Sequence, residues 1–254
     1  MKNTVNVHEV NPAFTDRRSF LKISGLGVVG AGLLMAVGCS DDDDATGPVV
    51  DDQLPGVRNG IFDLGAGDLG ILSYAYALEQ LEADFYTKVV NATGFASTFN
   101  STEQAVLTDL YKHELIHRDF FKAAITGALT AAGLDPSARL LPTLEFKYGT
   151  LNFSNRDQVL ATSKALEDTG VAAYNGAGRY ITNPDYLLLA GKIVSVEARH
   201  ASAIRSLIRP DSADFAGDDI VAPSNGLDAA KKPSAIIPVA AGFISTQFTA
   251  QFLP

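Results

Sequence analysis

One cysteine, two methionines and no tryptophan occur among the 254 residues. A single thiol excludes an intramolecular disulfide, a zinc ribbon and a Cys-x-x-Cys redox pair. Basic residues are also scarce, with 20 Lys and Arg against 29 Asp and Glu and a formal net charge of −9. That is the wrong sign for a chain that tracks a nucleic-acid backbone, so no nucleic-acid partner is expected. The uncharged run near the N-terminus, Ile23 to Gly38, has 16 residues, short of a membrane-spanning helix but suited to the hydrophobic region of a signal peptide. What is present is an ordinary globular composition, 46% hydrophobic and 19% charged, enough for one well-buried core.

The first 59 residues read as an address and a spacer. Asp16 to Lys22, with Arg17-Arg18-Ser19-Phe20-Leu21, resembles a twin-arginine export signature, and Ala36-Val37-Gly38-Cys39 resembles a lipobox. The alternative is a buried N-terminal helix ending in a free thiol. Residues 1–38 are therefore expected to form a lipoprotein signal peptide, with Cys39 as the lipid-bearing residue that contacts the membrane. Residues 39–59, acidic and without a basic residue until Arg58, are expected to form a solvated tether. An exported protein, held in the cell envelope by its lipid, is the localisation this implies.

Four helices follow in residues 60–208. From Gly70 to about Asn91 apolar residues recur at helical spacing, with Gln80, Asp84, Thr87 and Lys88 opposite them. A second helix is expected from a capping start at Ser101 or Thr102 to about Ala132, a third from about Asp157 to Ile181, and a fourth from about Asp185 to Leu207. Short connections make the first two and the last two antiparallel hairpins, joined by a long crossover from Gly133 to Arg156. The fold class is all-α, a four-helix bundle. Residues 209–254, rich in Pro, Gly, Asp and Ala, are expected to wrap the bundle as an extended C-terminal segment.

Chemistry lies on the inner faces of these helices. Glu114-Leu115-Ile116-His117 and Glu197-Ala198-Arg199-His200 are both Glu-x-x-His, which sets a carboxylate and an imidazole on one helical face. Both faces are apolar. Glu79 falls on the apolar stripe of the first helix and Glu167 on that of the third, so every helix carries an inward glutamate. Tyr86 stands seven residues after Glu79, and Tyr174 seven after Glu167, a two-fold echo that suits a symmetric site between two hairpins. Two Glu-x-x-His coincidences among four histidines and eight glutamates arise by chance roughly once in 170 sequences. Four ionised carboxylates in an apolar bundle cost several kcal/mol each unless protonated, paired or bound to metal. Few basic residues are placed to help. Two divalent cations, iron or manganese with zinc left open, would neutralise the carboxylates, and two imidazoles would complete the donor set. Glu82, one turn past Glu79, is either a further ligand or a support for one. His113 is expected at the surface or an interface, and Tyr86 and Tyr174 are expected to pack in the core, with hydrogen bonds to the ligands or electron transfer as the alternative.

The pattern Glu, Glu-x-x-His, Glu, Glu-x-x-His resembles the ferritin-like superfamily over residues 60–208. Within it, Ala77 to Tyr86 and Leu166 to Tyr174 are similar to exported bacterial ferritin-like domain proteins related to plant desiccation-related proteins. The resemblance implies a ferritin-like bundle with Glu79, Glu114, His117, Glu167, Glu197 and His200 as ligands of two metal ions. Glu114 and Glu197 would bridge them. It implies dioxygen, peroxide or ferrous-iron redox chemistry, or alternatively a protective envelope protein without turnover, and it allows a homo-oligomer. The tether and the C-terminal segment disfavour an iron-storage cage.

Overall fold

The computed structural model describes residues 51–254, and the signal-peptide, lipidation and most of the tether expectations lie outside the described residues. Four long helices dominate: α1 (Gly67–Val90), α3 (Ser101–Ala131), α5 (Arg156–Gly178) and α6 (Pro184–Ile208), with short helices α2 (Phe95–Thr98) and α4 (Pro136–Arg139) between them. The chain is an all-α bundle in which α1 packs on α3 and α5 on α6, as the short connections require. Among the described residues no helix is long and apolar enough to cross a membrane.

The helix starts follow from side chains that satisfy free backbone N–H groups. Asn100, and not Ser101 or Thr102, caps α3: its side chain accepts from the N–H groups of Thr102 and Glu103, while Glu103 accepts from the Asn100 N–H at 2.9 Å. Glu103 reaches back that way because it sits three residues past the cap. Its other oxygen takes Arg156 at 2.7 Å, tying the start of α3 to the start of α5. Asn183 caps α6, where Pro184 fills the first helical position. Asp68 in the first turn of α1 accepts from the N–H groups of Thr182 and Asn183, both at 2.8 Å, pinning the α5–α6 connection to the neighbouring hairpin.

Two segments depart from the expected plan. Strand β1 (Gly56–Arg58) pairs antiparallel with β2 (Ile61–Asp63) around Asn59-Gly60, both at positive φ. That dipeptide is the common turn of a two-residue hairpin. Residues 56–59, allotted to the tether by composition, thus belong with the folded part, and position 60 lies inside a turn. The C-terminal segment is not simply extended. It forms strands β3 (Val221–Ala222) and β4 (Leu227–Asp228), helix α7 (Pro233–Ala241) and strand β5 (Phe248–Thr249), which lies parallel to β2. The buried Asp63 holds this junction, accepting from Thr249 Oγ1 at 2.6 Å and the Gln251 N–H at 3.1 Å. Pro233 starts α7 at a position where its missing N–H costs nothing, so a proline-rich composition concealed a helix.

The crossover and α7 lie over α1 and α5. Leu141 and Leu144 enter the core, and Gln80, expected on a polar outer face, is buried, accepting from the Leu144 N–H at 2.9 Å and donating to the Pro142 carbonyl at 3.3 Å. Lys231 N–H donates to the Ala172 carbonyl at 2.9 Å, and a Cβ at Gly176 would stand 1.8 Å from the Lys231 carbonyl oxygen. Only glycine lets the two backbones approach so closely. The guanidinium of the fully buried Arg205 pairs with Asp168 at 2.7 Å and Asp219 at 2.6 Å, clasping α5, α6 and the following loop.

Candidate metal centre

All six residues picked from the sequence meet midway along the bundle. Glu79, Glu114, Glu167 and Glu197 are fully buried, and His117 and His200 retain only 9% and 3% exposure. Both imidazoles turn Nδ1 toward the carboxylates, and the arrangement is crossed. His117 Nδ1 lies 2.8 Å from Glu197, 3.4 Å from Glu79 and 3.5 Å from Glu114. His200 Nδ1 lies 2.8 Å from Glu114, 3.3 Å from Glu197 and 3.4 Å from Glu167. Each histidine is thus nearest the glutamate of the opposite Glu-x-x-His helix.

Two overlapping donor sets result, Glu79, Glu114, His117 and Glu197 in one, Glu114, Glu167, Glu197 and His200 in the other, with the atoms of each set within 4.8 Å of one another. Glu114 and Glu197 belong to both. Carboxylates and imidazoles gathered in this way form a mixed oxygen and nitrogen donor set that could hold metal ions.

The tyrosines pack in the core and also hydrogen-bond two of the glutamates. Tyr86 Oη donates to Glu167 Oε1 at 2.5 Å, and Tyr174 Oη donates to Glu79 Oε1. Each half of the repeat therefore holds the other half's glutamate, which fixes one oxygen and leaves the second free. His113 is exposed, as expected. Its Nδ1 sits 2.9 Å from Nε2 of His200, so the residue links the inner imidazole to the outer surface. Three- and four-residue helical spacing carried the inner stripe, whereas the His113–His200 contact joins α3 to α6 and no spacing within either helix announces it.

Electrostatics shows strain that cations would relieve. Burial, then the Glu197 charge, pushes the Glu114 carboxyl up to about 8. Burial likewise raises Glu167. Burial alone would lower both imidazoles, but the glutamates around them outweigh it, and His200 is pushed up to about 12. Burial would raise Glu197, and the two imidazoles instead hold it down at about 2. Even so, Glu79 Oε2, both oxygens of Glu114 and Glu197, Glu167 Oε2 and both Nδ1 atoms are buried without a well-formed hydrogen bond. Donor atoms left open toward a common centre fit a metal pair.

A four-helix bundle with inward carboxylates and imidazoles on all four long helices defines a class of buried-centre bundle proteins. The ferritin-like domain family model matches residues 67–210, more than half of the chain, and the protein belongs to that family. A search of curated proteins found no match.

Proposed function

We propose that the bundle binds two divalent cations, iron or manganese, and uses them in redox chemistry with dioxygen, peroxide or ferrous iron. The observation that carries this reading is the pair of four-donor sets sharing Glu114 and Glu197, with their inward atoms unsatisfied. Glu79 and His117 would serve one cation, Glu167 and His200 the other, and Glu114 and Glu197 both. When bound, the metals would supply Lewis acidity and a change of oxidation state. The chain's own contribution is to orient. Tyr86 and Tyr174 each immobilise one carboxylate oxygen, the apolar helix faces keep bulk water out, and His113 sets the outward nitrogen of His200.

The reading extends to place. The twin-arginine-like segment and Cys39 support export and a lipid anchor in the envelope, with the membrane as partner through that lipid. Export in a folded state would allow the metals to be loaded first. Mass spectrometry of the native N-terminus tests this: a lipid-modified Cys39 is expected, and an intact precursor with free Cys39 in the envelope overturns it.

Metal analysis of purified protein, followed by peroxide-consumption and ferrous-oxidation assays, tests the function. Two iron or manganese ions per chain and metal-dependent turnover in one assay are expected. Metal without turnover would favour a protective envelope protein that keeps the bundle.

A further inference from the structure

The six residues are not the only buried ionisable groups with open atoms. Among the described residues, the carboxylates and imidazoles that carry a buried, unpartnered nitrogen or oxygen are those six and Glu82, whose Oε2 is enclosed. Glu82 lies one turn past Glu79 on α1 and is only 3% exposed. An unpartnered oxygen at that depth is costly unless a proton or a cation reaches it.

The internal repeat shows why this carboxylate stands alone. The shift of 88 residues that carries Glu79 to Glu167 and Tyr86 to Tyr174 carries Glu82 to Gly170. A Cβ at Gly170 would stand 3.1 Å from Glu82 Oε1. The carboxylate from α1 thus occupies the space that a side chain on α5 would fill, and it leans toward the turn that follows Glu167. Glu82 and Gly170 also border a cavity of about 50 Å³, lined besides by Leu78, Leu81, Thr169 and Phe243 and by no basic side chain. No cation of the protein competes for Glu82 there. Burial, then the negative charges of the neighbouring glutamates, pushes its carboxyl well above the usual range.

We propose that Glu82 is a further donor of the centre, adding a fifth carboxylate to the cation position of Glu167 and His200 and making the two positions chemically unequal. The inference rests on the two-cation reading. A hard divalent cation gains from an additional oxygen donor and its negative charge, and the position of Glu79 and His117 has no counterpart, because Gly170 stands where that donor would be.

The test is titration of chelator-treated protein with Mn²⁺ by calorimetry and with Co²⁺ by visible absorption. The unaltered protein should bind two ions with affinities differing by about tenfold or more. Glu82→Gln keeps the volume, and should weaken the tighter step by about tenfold to a hundredfold, bring the two steps together and change the spectrum of the first Co²⁺ bound. Glu82→Asp keeps the charge but withdraws it by one methylene, should act in the same direction, and carries the test should Glu82→Gln not melt cooperatively. Two unchanged steps with an unchanged first-ion spectrum overturn the role of Glu82, as does selective weakening of the looser step. Failure of the unaltered protein to bind two ions overturns the two-cation reading itself, a separate result.

Discussion

Helices α1 and α5 bring one glutamate each to the six-residue cluster and are covered on most sides, whereas α3 and α6 bring a Glu-x-x-His each and are buried along one stripe. Seventeen of the 24 residues of α1 are buried, against eight of the 31 in α3. The crossover and α7 produce the difference by lying over the first pair and leaving the outer faces of the second pair in water. The site is therefore two-sided. Glu79 and Glu167 sit on enclosed helices and are held by the crossed tyrosines, while the imidazoles sit on helices with an open back, one of them reaching the surface through His113. Enclosure gives rigidity to the carboxylates, and the open backs place the histidines next to solvent without exposing Nδ1.

The largest effect is expected at the shared carboxylates of the one-sided helices. Glu114→Gln removes a charge at constant volume, so the variant should bind at least one fewer of the two proposed cations by metal analysis. Its melting temperature should fall below that of the unaltered protein with metal present and rise above it after chelation, because repulsion within the cluster is relieved. Equal shifts in both states would make Glu114 an ordinary structural residue.

Next comes the enclosed side. Phe85, fully buried on α1 against Tyr86, Tyr148 and Phe153, should cost about 3–5 kcal/mol when replaced by Ala, read from denaturant unfolding. Gly176→Ala drives a methyl into the Lys231 carbonyl and should cost about 1–3 kcal/mol while hastening proteolysis of residues 209–254. A variant as stable and as resistant as the parent would mean that this segment does not clamp α5.

The dependence on pH separates the metal-free from the loaded state. Glu114, raised to about 8 from 4.5, contributes stability that is complete below 4.5 and lost as pH rises to 8. The contribution of His200, raised to about 12 from 6.5, is complete below 6.5 and declines above it. Glu197, depressed to about 2, acts in the opposite sense, its contribution being lost only as pH falls from 4.5 toward 2. Chelated protein should therefore melt lower at pH of about 8 than at about 5. Metal binding is favoured as the protons leave, so loaded protein should show a smaller decline or none. Parallel declines in the two states would disconnect the cluster from metal.

The smallest effect is expected on the open back of α3. Ile116 lies between Glu114 and His117 but is 63% exposed, so Ile116→Ser should change stability by no more than about 0.5 kcal/mol and leave the Co²⁺ spectrum unaltered. A larger change would show that this face is covered in solution.

The four long helices and the inward set Glu79, Glu114, His117, Glu167, Glu197 and His200 were legible in the sequence, because both depend on local periodicity: residues three and four apart share a helical face whatever lies beyond it. Asn59-Gly60 and Asn100 are local signals too, but acidic composition masked the first and the cap was placed at Ser101 or Thr102, one or two residues late. The covering of α1 was not legible. Gln80 reads as polar and outward until the crossover supplies an N–H and a carbonyl to bury it, and α7 is hidden in a composition of proline and alanine. Which tyrosine holds which glutamate, why Gly170 stands opposite Glu82, and how His113 reaches His200 are matters between helices far apart in the chain. Sequence by itself determined which faces turn inward, since that follows from 3.6 residues per turn. Only the tertiary structure decided which inward atoms meet and which outward faces are covered, since packing distances between helices leave no periodic trace along the chain.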